Sequence, residues 1–110
     1  MVQWLYRIVP TRPDMVDAAT DDEAAVVGDH FRYLVQLRDR GILILAGRTQ
    51  GEGAETLGLT VFEADDEAAA RAVMDADPAV AAGVFAATLH RYAVAVARDG
   101  LDMTAARTPG

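Results

Sequence analysis

The sequence predicts a single α+β domain with the element order β-α-β-β-α-β. Two observations lead to this prediction: four short segments are rich in residues that favour strands, and two longer segments between them repeat with helical spacing. The chain has 110 residues, of which 52% are hydrophobic, which suits one core and leaves no room for a second. We therefore expect residues 1–97 to form the domain and residues 98–110 a flexible tail.

The first strand and the first helix have clear boundaries. Residues 2–9 are rich in Trp, Tyr, Val and Ile and are followed by Pro10, so they predict a strand that ends there. Thr20 and Glu23 have the spacing of a capping box, which predicts that a helix begins after Thr20 and closes near Gly41. The apolar positions that recur at helical spacing in this segment are Val27, Phe31 and Leu34.

Two further strands follow the first helix. Residues 42–47 are uniformly apolar and too few for a surface helix, which predicts a buried strand. A glycine-bearing loop over residues 49–55 separates this strand from a third one at residues 57–62.

The second helix and the last strand complete the order. Asp65 is the expected cap of the helix, which should stop by Asp77 because Pro78 disfavours helical geometry at the residue before it. Residues 84–97 supply the last strand, whose length predicts a bulge, a bend or an early end. The side of the second helix expected to be apolar carries Ala69, Ala72 and Val73.

Right-handed crossovers in the two β-α-β halves would place both helices on one face of a four-stranded antiparallel sheet, which is the ferredoxin-like plan. The second and fourth strands are apolar at nearly every position, so the other face also needs a cover. A second copy of the chain is the simplest cover, and we expect a homodimer.

Composition excludes several classes of function. A net charge of −7 and a pI near 4.6 oppose binding to nucleic acid, and no apolar run approaches the ~18 residues of a membrane span. The chain has no cysteine and no secretory signal pattern, so we expect a cytoplasmic protein. It also lacks Lys, Ser and Asn, which leaves His, Asp, Glu, Arg, Thr and Tyr for any chemistry.

Several polar residues are candidates for a site, and each has a structural alternative. His30 lies at the margin of the apolar stripe of the first helix, where it can face a cavity or simply donate to a backbone carbonyl. Asp77 can orient an imidazole or cap the turn before Pro78. Arg48 follows the second strand, where it can bind an anionic substrate or remain an exposed arginine.

The last strand carries a second histidine. His90 and Arg91 should point to opposite faces, and either could line a pocket or lie at a solvated edge. His30 and His90 have no metal-site spacing, so we expect no metal and no cofactor.

Four motifs, in this order and spacing, resemble the YciI (YCII-related) family from the first strand to about Tyr92. The most specific are the helical His followed by Leu-Ala-Gly, and the Asp-Pro-x-Val-x-x-Gly stretch. The four motifs are residues 30–34 (HFRYL), 40–47 (RGILILAG), 62–65 (FEAD) and 76–84 (ADPAVAAGV).

The resemblance implies a dimeric α+β barrel and a His-Asp catalytic centre formed by His30 and Asp77. Tyr33, Gly47 and Arg48 are the residues we expect to bind the substrate, and Tyr33 and Gly47 lie within the motifs. The family often has Pro where this chain has Arg48, so a substrate known for a relative does not transfer directly.

These observations support three hypotheses. The first is an enzyme of the lyase, dehydrochlorinase-like or isomerase type that transfers a proton on a small metabolite, with His30 as acid or base and Asp77 fixing its tautomer. The second is a non-catalytic dimeric module that binds a ligand or a partner. In the third, His30 and Asp77 only tie the first helix to the loop before the last strand.

Overall fold

The computed structural model describes residues 2–51 and 55–100, and within these the predicted order β-α-β-β-α-β is confirmed. Two short helices that the sequence did not predict are added, one after the first strand and one before the last. The elements are β1 (Val2–Pro10), α1 (Met15–Ala18), α2 (Asp21–Asp39), β2 (Leu43–Arg48), β3 (Gly58–Ala64), α3 (Glu67–Asp75), α4 (Pro78–Ala81) and β4 (Phe85–Arg91).

The four strands form one antiparallel sheet in the order β2-β3-β1-β4, which confirms the ferredoxin-like plan. β1 lies in the middle of the sheet, where Tyr6 pairs with Thr60 on one side and with Leu89 on the other. None of the described helices is both long and apolar enough to cross a membrane.

The hydrophobic core lies on the face of the sheet that the helices cover. Side chains of β1 and β3 point into it alternately, and Tyr6 and Phe62 are completely buried in edge-to-face contact. From α3 the buried residues are Ala70 and Met74, whereas the predicted Ala69 and Ala72 are exposed. Of the predicted apolar side, Val73 is partly buried and packs against the core as expected. Ala69 and Ala72 are turned away from the sheet, because Ala70, Val73 and Met74 form the side of the helix that meets it.

The helix caps were predicted almost correctly. At α2 the capping box is confirmed, since the Glu23 amide donates to Thr20 Oγ1 at 3.1 Å and the Thr20 amide donates to Glu23 Oε1 at 2.8 Å. At α3 the cap is Asp66 and not Asp65, because Asp66 has the extended backbone of a cap and its Oδ1 accepts from the Ala69 amide at 2.8 Å. α3 ends at Asp75, as the proline predicted.

β2 is not the buried strand that its apolar sequence predicted. Ile44 is its one buried residue, and Leu45 is 42% exposed. β2 is an edge strand of the sheet, and α2 leaves a cavity beside its inner face instead of packing closely against it. In a single chain Leu45 and Ala46 of β2 therefore remain open to solvent.

The last strand ends early, which was one of the three expected outcomes. β4 stops at Arg91, and the following segment is fastened to β1 by Tyr92 and Val94, whose amides donate to the backbone and side-chain oxygens of Gln3 at 3.2 and 2.7 Å. Most of the predicted tail, residues 101–110, lies outside the described residues.

Candidate functional site

A cavity of about 630 Å³ lies between α2 and the neighbouring ends of β2 and β3. This volume is typical of sites for small molecules. The predicted apolar stripe of α2 lines the cavity, and Phe31 is 66% exposed there, so it belongs to the cavity wall and not to the core. The other apolar residues that line the cavity include Ile8, Val27, Leu34 and Phe85.

His30 brings a titratable group to this apolar wall. Its side chain is 12% exposed, and its ring meets the ring of Phe85 edge to face at a centroid distance of 5.3 Å. Nδ1 lies 2.6 Å from Oδ2 of Asp77. The other ring nitrogen, Nε2, has no hydrogen-bond partner among residues 2–51 and 55–100. It is therefore the atom of this ring that is free to meet a ligand.

Asp77 is completely buried and holds three elements together. As the cap of α4, its Oδ1 accepts from the Ala79 amide at 3.0 Å. Its Oδ2 faces Nδ1 of His30 and also accepts from the hydroxyl of Tyr6 at 2.7 Å. Both carboxylate oxygens therefore have hydrogen-bond donors, which offsets part of the cost of burying the group.

The contact with Asp77 indicates which tautomer a neutral His30 adopts. An ionised carboxylate can only accept hydrogen bonds, so a neutral His30 carries its hydrogen on Nδ1 and leaves the lone pair of Nε2 available. Oδ1 of Asp77 caps α4, and Oδ2 lies within hydrogen-bond distance of the histidine.

Tyr6 is the residue of this cluster that sequence reasoning missed. Burial, followed by the negative charge of Asp77, raises the pKa of Tyr6 far above its usual value, so the hydroxyl is protonated and acts as the donor. A tyrosine on the buried face of a strand usually finds a hydrogen-bond partner. That signal was present in the alternation of β1, but it does not identify the partner.

The remaining predicted residues divide into two groups. Gly47 and Arg48 line the cavity, opposite His30. Tyr33 does not line it, since its hydroxyl donates to the backbone oxygen of Val73 at 2.6 Å. Burial and, second, the charge of Asp77 raise the pKa of Tyr33.

The residues of the last strand lie apart from the site. His90 and Arg91 point to opposite faces, as predicted. Nε2 of His90 meets the Thr88 hydroxyl at 3.1 Å, and the Arg91 guanidinium lies 5.4 Å from the centre of the Trp4 ring. In the described part of the chain, no group of three or more His, Asp or Glu side chains has a geometry that could hold a metal ion.

Residues 5–89 match the family model of the YCII-related domain. Among solved structures, the chain is similar to 5-chloro-2-hydroxyhydroquinone dehydrochlorinase (TftG) from Burkholderia phenoliruptrix AC1100, in a complex with 2,5-dihydroxybenzoquinone. The sequence identity is 26% and the TM-score 0.59, over 84% of this chain and 94% of that chain. No curated protein matches. The family match includes both His30 and Asp77.

Proposed function

Because the chain belongs to the YCII-related domain family, we propose that it is an enzyme that transfers a proton on a small molecule, with His30 as the general base or acid. One observation carries the proposal: a histidine whose Nδ1 is held by a buried carboxylate lines a mostly apolar cavity. Such a site needs neither serine nor cysteine, and the chain has neither.

In the proposed reaction, Nε2 of His30 removes a proton from the substrate. Asp77 keeps the hydrogen on Nδ1 before the transfer, and its negative charge stabilises the imidazolium afterwards. In the dehydrochlorination of a chlorinated hydroquinone, two O–H bonds and the C–Cl bond break, and two C=O bonds and one C–H bond form. His30 takes a hydroxyl proton and delivers it to the ring carbon that carries chlorine, and chloride and the second proton then leave. In an isomerisation His30 returns the proton to another carbon. A positioned acid or base contributes about 10²–10⁴-fold to such a rate.

Arg48 supports an anionic substrate or an anionic intermediate. Among the described residues that line the cavity, His30 and Arg48 are the two that can carry positive charge, and no Asp or Glu lines it. The chain has a net charge of −7, so a cavity lined by cationic and not by acidic side chains differs in charge from the chain as a whole. A guanidinium at the wall would attract a carboxylate or phenolate and would stabilise the negative charge that proton removal creates.

We also propose that the working unit is a homodimer. On the sheet face away from the core, Leu5, Val61 and Leu45 lie side by side in register. Leu45 and Leu59 are 42% and 37% exposed in the single chain. A second copy packed against this face would remove Leu45 and Leu59 from water, which is favourable.

Turnover measurements test the proposed enzyme. We would incubate the protein with 5-chloro-2-hydroxyhydroquinone, the substrate in the name of the similar enzyme, and with chlorinated hydroquinones that carry a carboxylate, and follow the release of chloride. We expect His30→Ala to lower kcat by about 10²–10⁴-fold. Arg38→Ala is the control, because Arg38 is exposed on α2 and does not line the cavity, and it should leave kcat unchanged. A ligand that binds the wild type tightly but is never converted would favour the non-catalytic module, and equal turnover by His30→Ala would contradict the role of His30.

A further inference from the structure

We propose that Tyr6 is a positioning residue of this site, whose hydroxyl shares Oδ2 of Asp77 with His30 and limits how strongly the carboxylate holds the imidazole. The inference rests on the proposed function, because it concerns the same histidine. It adds Tyr6 to the pair of His30 and Asp77, and Tyr6 is not among the residues that line the cavity.

The geometry of the shared oxygen carries the inference. The Tyr6 hydroxyl lies 2.7 Å and His30 Nδ1 lies 2.6 Å from the same oxygen atom, whereas the Ala79 amide binds the other oxygen at 3.0 Å. Tyr6 and Asp77 are both completely buried, so water cannot replace the hydroxyl as a donor. Tyr6 itself is fixed in the centre of the sheet, with β3 and β4 paired on its two sides.

Two donors on one oxygen compete for its charge. A carboxylate oxygen that already accepts a hydrogen bond from a phenol is a weaker acceptor for the imidazole. Without that bond, the charge of Asp77 would act more fully on His30 and would stabilise the imidazolium more strongly. A base held in this way would release its proton less readily. Tyr6 therefore keeps the histidine able both to take up and to release a proton.

The surroundings of the pair contain few other groups that could dominate this effect. α4, which Asp77 caps, consists of Pro78–Ala81 and has no titratable side chain. Phe85 of β4 contacts the His30 ring without charge. On the other elements, Tyr6 of β1 contacts Asp77 and Tyr33 of α2 lies within reach of its charge. Arg40, after α2, acts on Tyr33, and Arg48 of β2 lines the same cavity as His30.

The test is an NMR titration of both histidines in Tyr6→Phe, which keeps the ring and removes only the hydroxyl. We expect the titration midpoint of His30 to rise by about half a pH unit to one unit, the size of one hydrogen bond. His90 is exposed and bonded to Thr88, so it is an internal reference and should not move. An unchanged His30 midpoint in folded Tyr6→Phe would overturn the proposal.

Tyr33→Phe is the matched control, since it removes a partly buried tyrosine hydroxyl that bonds to Val73 and not to Asp77. The His30 midpoint should stay at its wild-type position in this variant. A rise equal to that in Tyr6→Phe would overturn the proposal, because it would reflect a general loosening of the core.

A second variant covers the case in which Tyr6→Phe does not fold. In a Tyr33→Phe, Tyr92→Phe chain, 3-fluorotyrosine can be incorporated at Tyr6 alone, since the chain has three tyrosines. The fluorinated phenol is more acidic and donates more strongly, so the His30 midpoint should fall; no change would count against the proposal. These titrations need no substrate, so they can succeed even if no turnover is found. The Tyr6 proposal and the proposed enzyme therefore fail separately.

Discussion

Nδ1 of His30 lies 2.6 Å from Oδ2 of Asp77, although 47 positions separate the two residues. His30 lies in the middle of α2, and Asp77 lies in the turn between α3 and α4. They meet because α2 and α4 pack against each other on the same face of the sheet. The contact therefore belongs to the folded core as well as to the site, and changes to it should affect both stability and chemistry.

Removing the Asp77 carboxylate should destabilise the fold. Asp77→Ala leaves Tyr6, His30 and the Ala79 amide without their buried acceptor, and we expect the free energy of unfolding to fall by about 3–5 kcal/mol. Asp77→Asn keeps one oxygen as an acceptor and should cost about 1–3 kcal/mol. Urea denaturation measures both. Asp75→Asn, on the exposed end of α3, is the control and should change stability by less than about 0.5 kcal/mol. Equal effects of all three changes would contradict the prediction.

The tyrosine side chains should ionise at different alkaline pH values. Tyr92 is 45% exposed, whereas burial and then the charge of Asp77 raise the pKa of Tyr6 far above its usual value of 10.0. A raised pKa means that Tyr6 stabilises the fold below pH 10 and that this contribution is lost as the pH rises further. Tyrosinate absorbance should therefore appear in stages, the last of them together with unfolding seen by circular dichroism. A Tyr6→Phe protein should lack that last stage, and early ionisation of all tyrosines would contradict the buried position of Tyr6.

Acidic pH should reduce the stabilisation that Glu23 provides at the N-terminus of α2. The hydrogen bond from the Arg12 guanidinium is the main reason why the pKa of Glu23 is lowered from 4.5 to about 2. A lowered pKa stabilises the fold above pH 4.5, and this stabilisation disappears as the pH falls towards 2. The Tm of the wild type should exceed that of Glu23→Gln at neutral pH, and the difference should shrink through this range. A difference that does not depend on pH would show that the charge of Glu23 is not responsible.

Gly58 should not tolerate a side chain. A Cβ at this position would lie 2.8 Å from Cγ1 and 3.0 Å from Cδ1 of Ile8, its neighbour across the β1–β3 pair. We expect Gly58→Ala to lower the free energy of unfolding by about 1–3 kcal/mol through overpacking. Gly47→Ala is the matched control on the adjacent strand, because a Cβ there meets nothing within 4 Å. Equal stabilities of the two variants in urea would contradict the steric argument.

If the sheet face forms the dimer interface, charged side chains introduced on that face should dissociate the dimer into monomers. Leu45→Asp combined with Leu59→Asp would place carboxylates on the face expected to be covered, and we expect sedimentation equilibrium to show a dimer for the wild type and a monomer for this variant. Ala25→Asp combined with Ala68→Asp adds the same two charges to exposed positions of α2 and α3 and should leave the dimer intact. A monomeric wild type, or a variant that remains dimeric, would contradict the proposed interface.

Local signals account for the features that were predicted correctly. The capping box of Thr20 and Glu23 and the stop before Pro78 depend on neighbours only a few positions away, and both were confirmed. The predicted burial of β2 was wrong because an apolar run does not reveal whether another element covers it. The cap of α3 was misplaced by one residue because Asp65 and Asp66 are equivalent as sequence signals, and only the backbone conformation distinguishes them.

The sequence alone determined the order of the elements, the antiparallel plan and the side chains available for chemistry, since these follow from periodicity, caps and composition. It also made His30 and Asp77 candidates. Only the tertiary structure brought Tyr6, 71 positions from Asp77, to the same carboxylate oxygen as His30. Such a contact depends on strand register and helix packing, in which small shifts decide whether two atoms form a hydrogen bond. No local pattern in the chain records those distances.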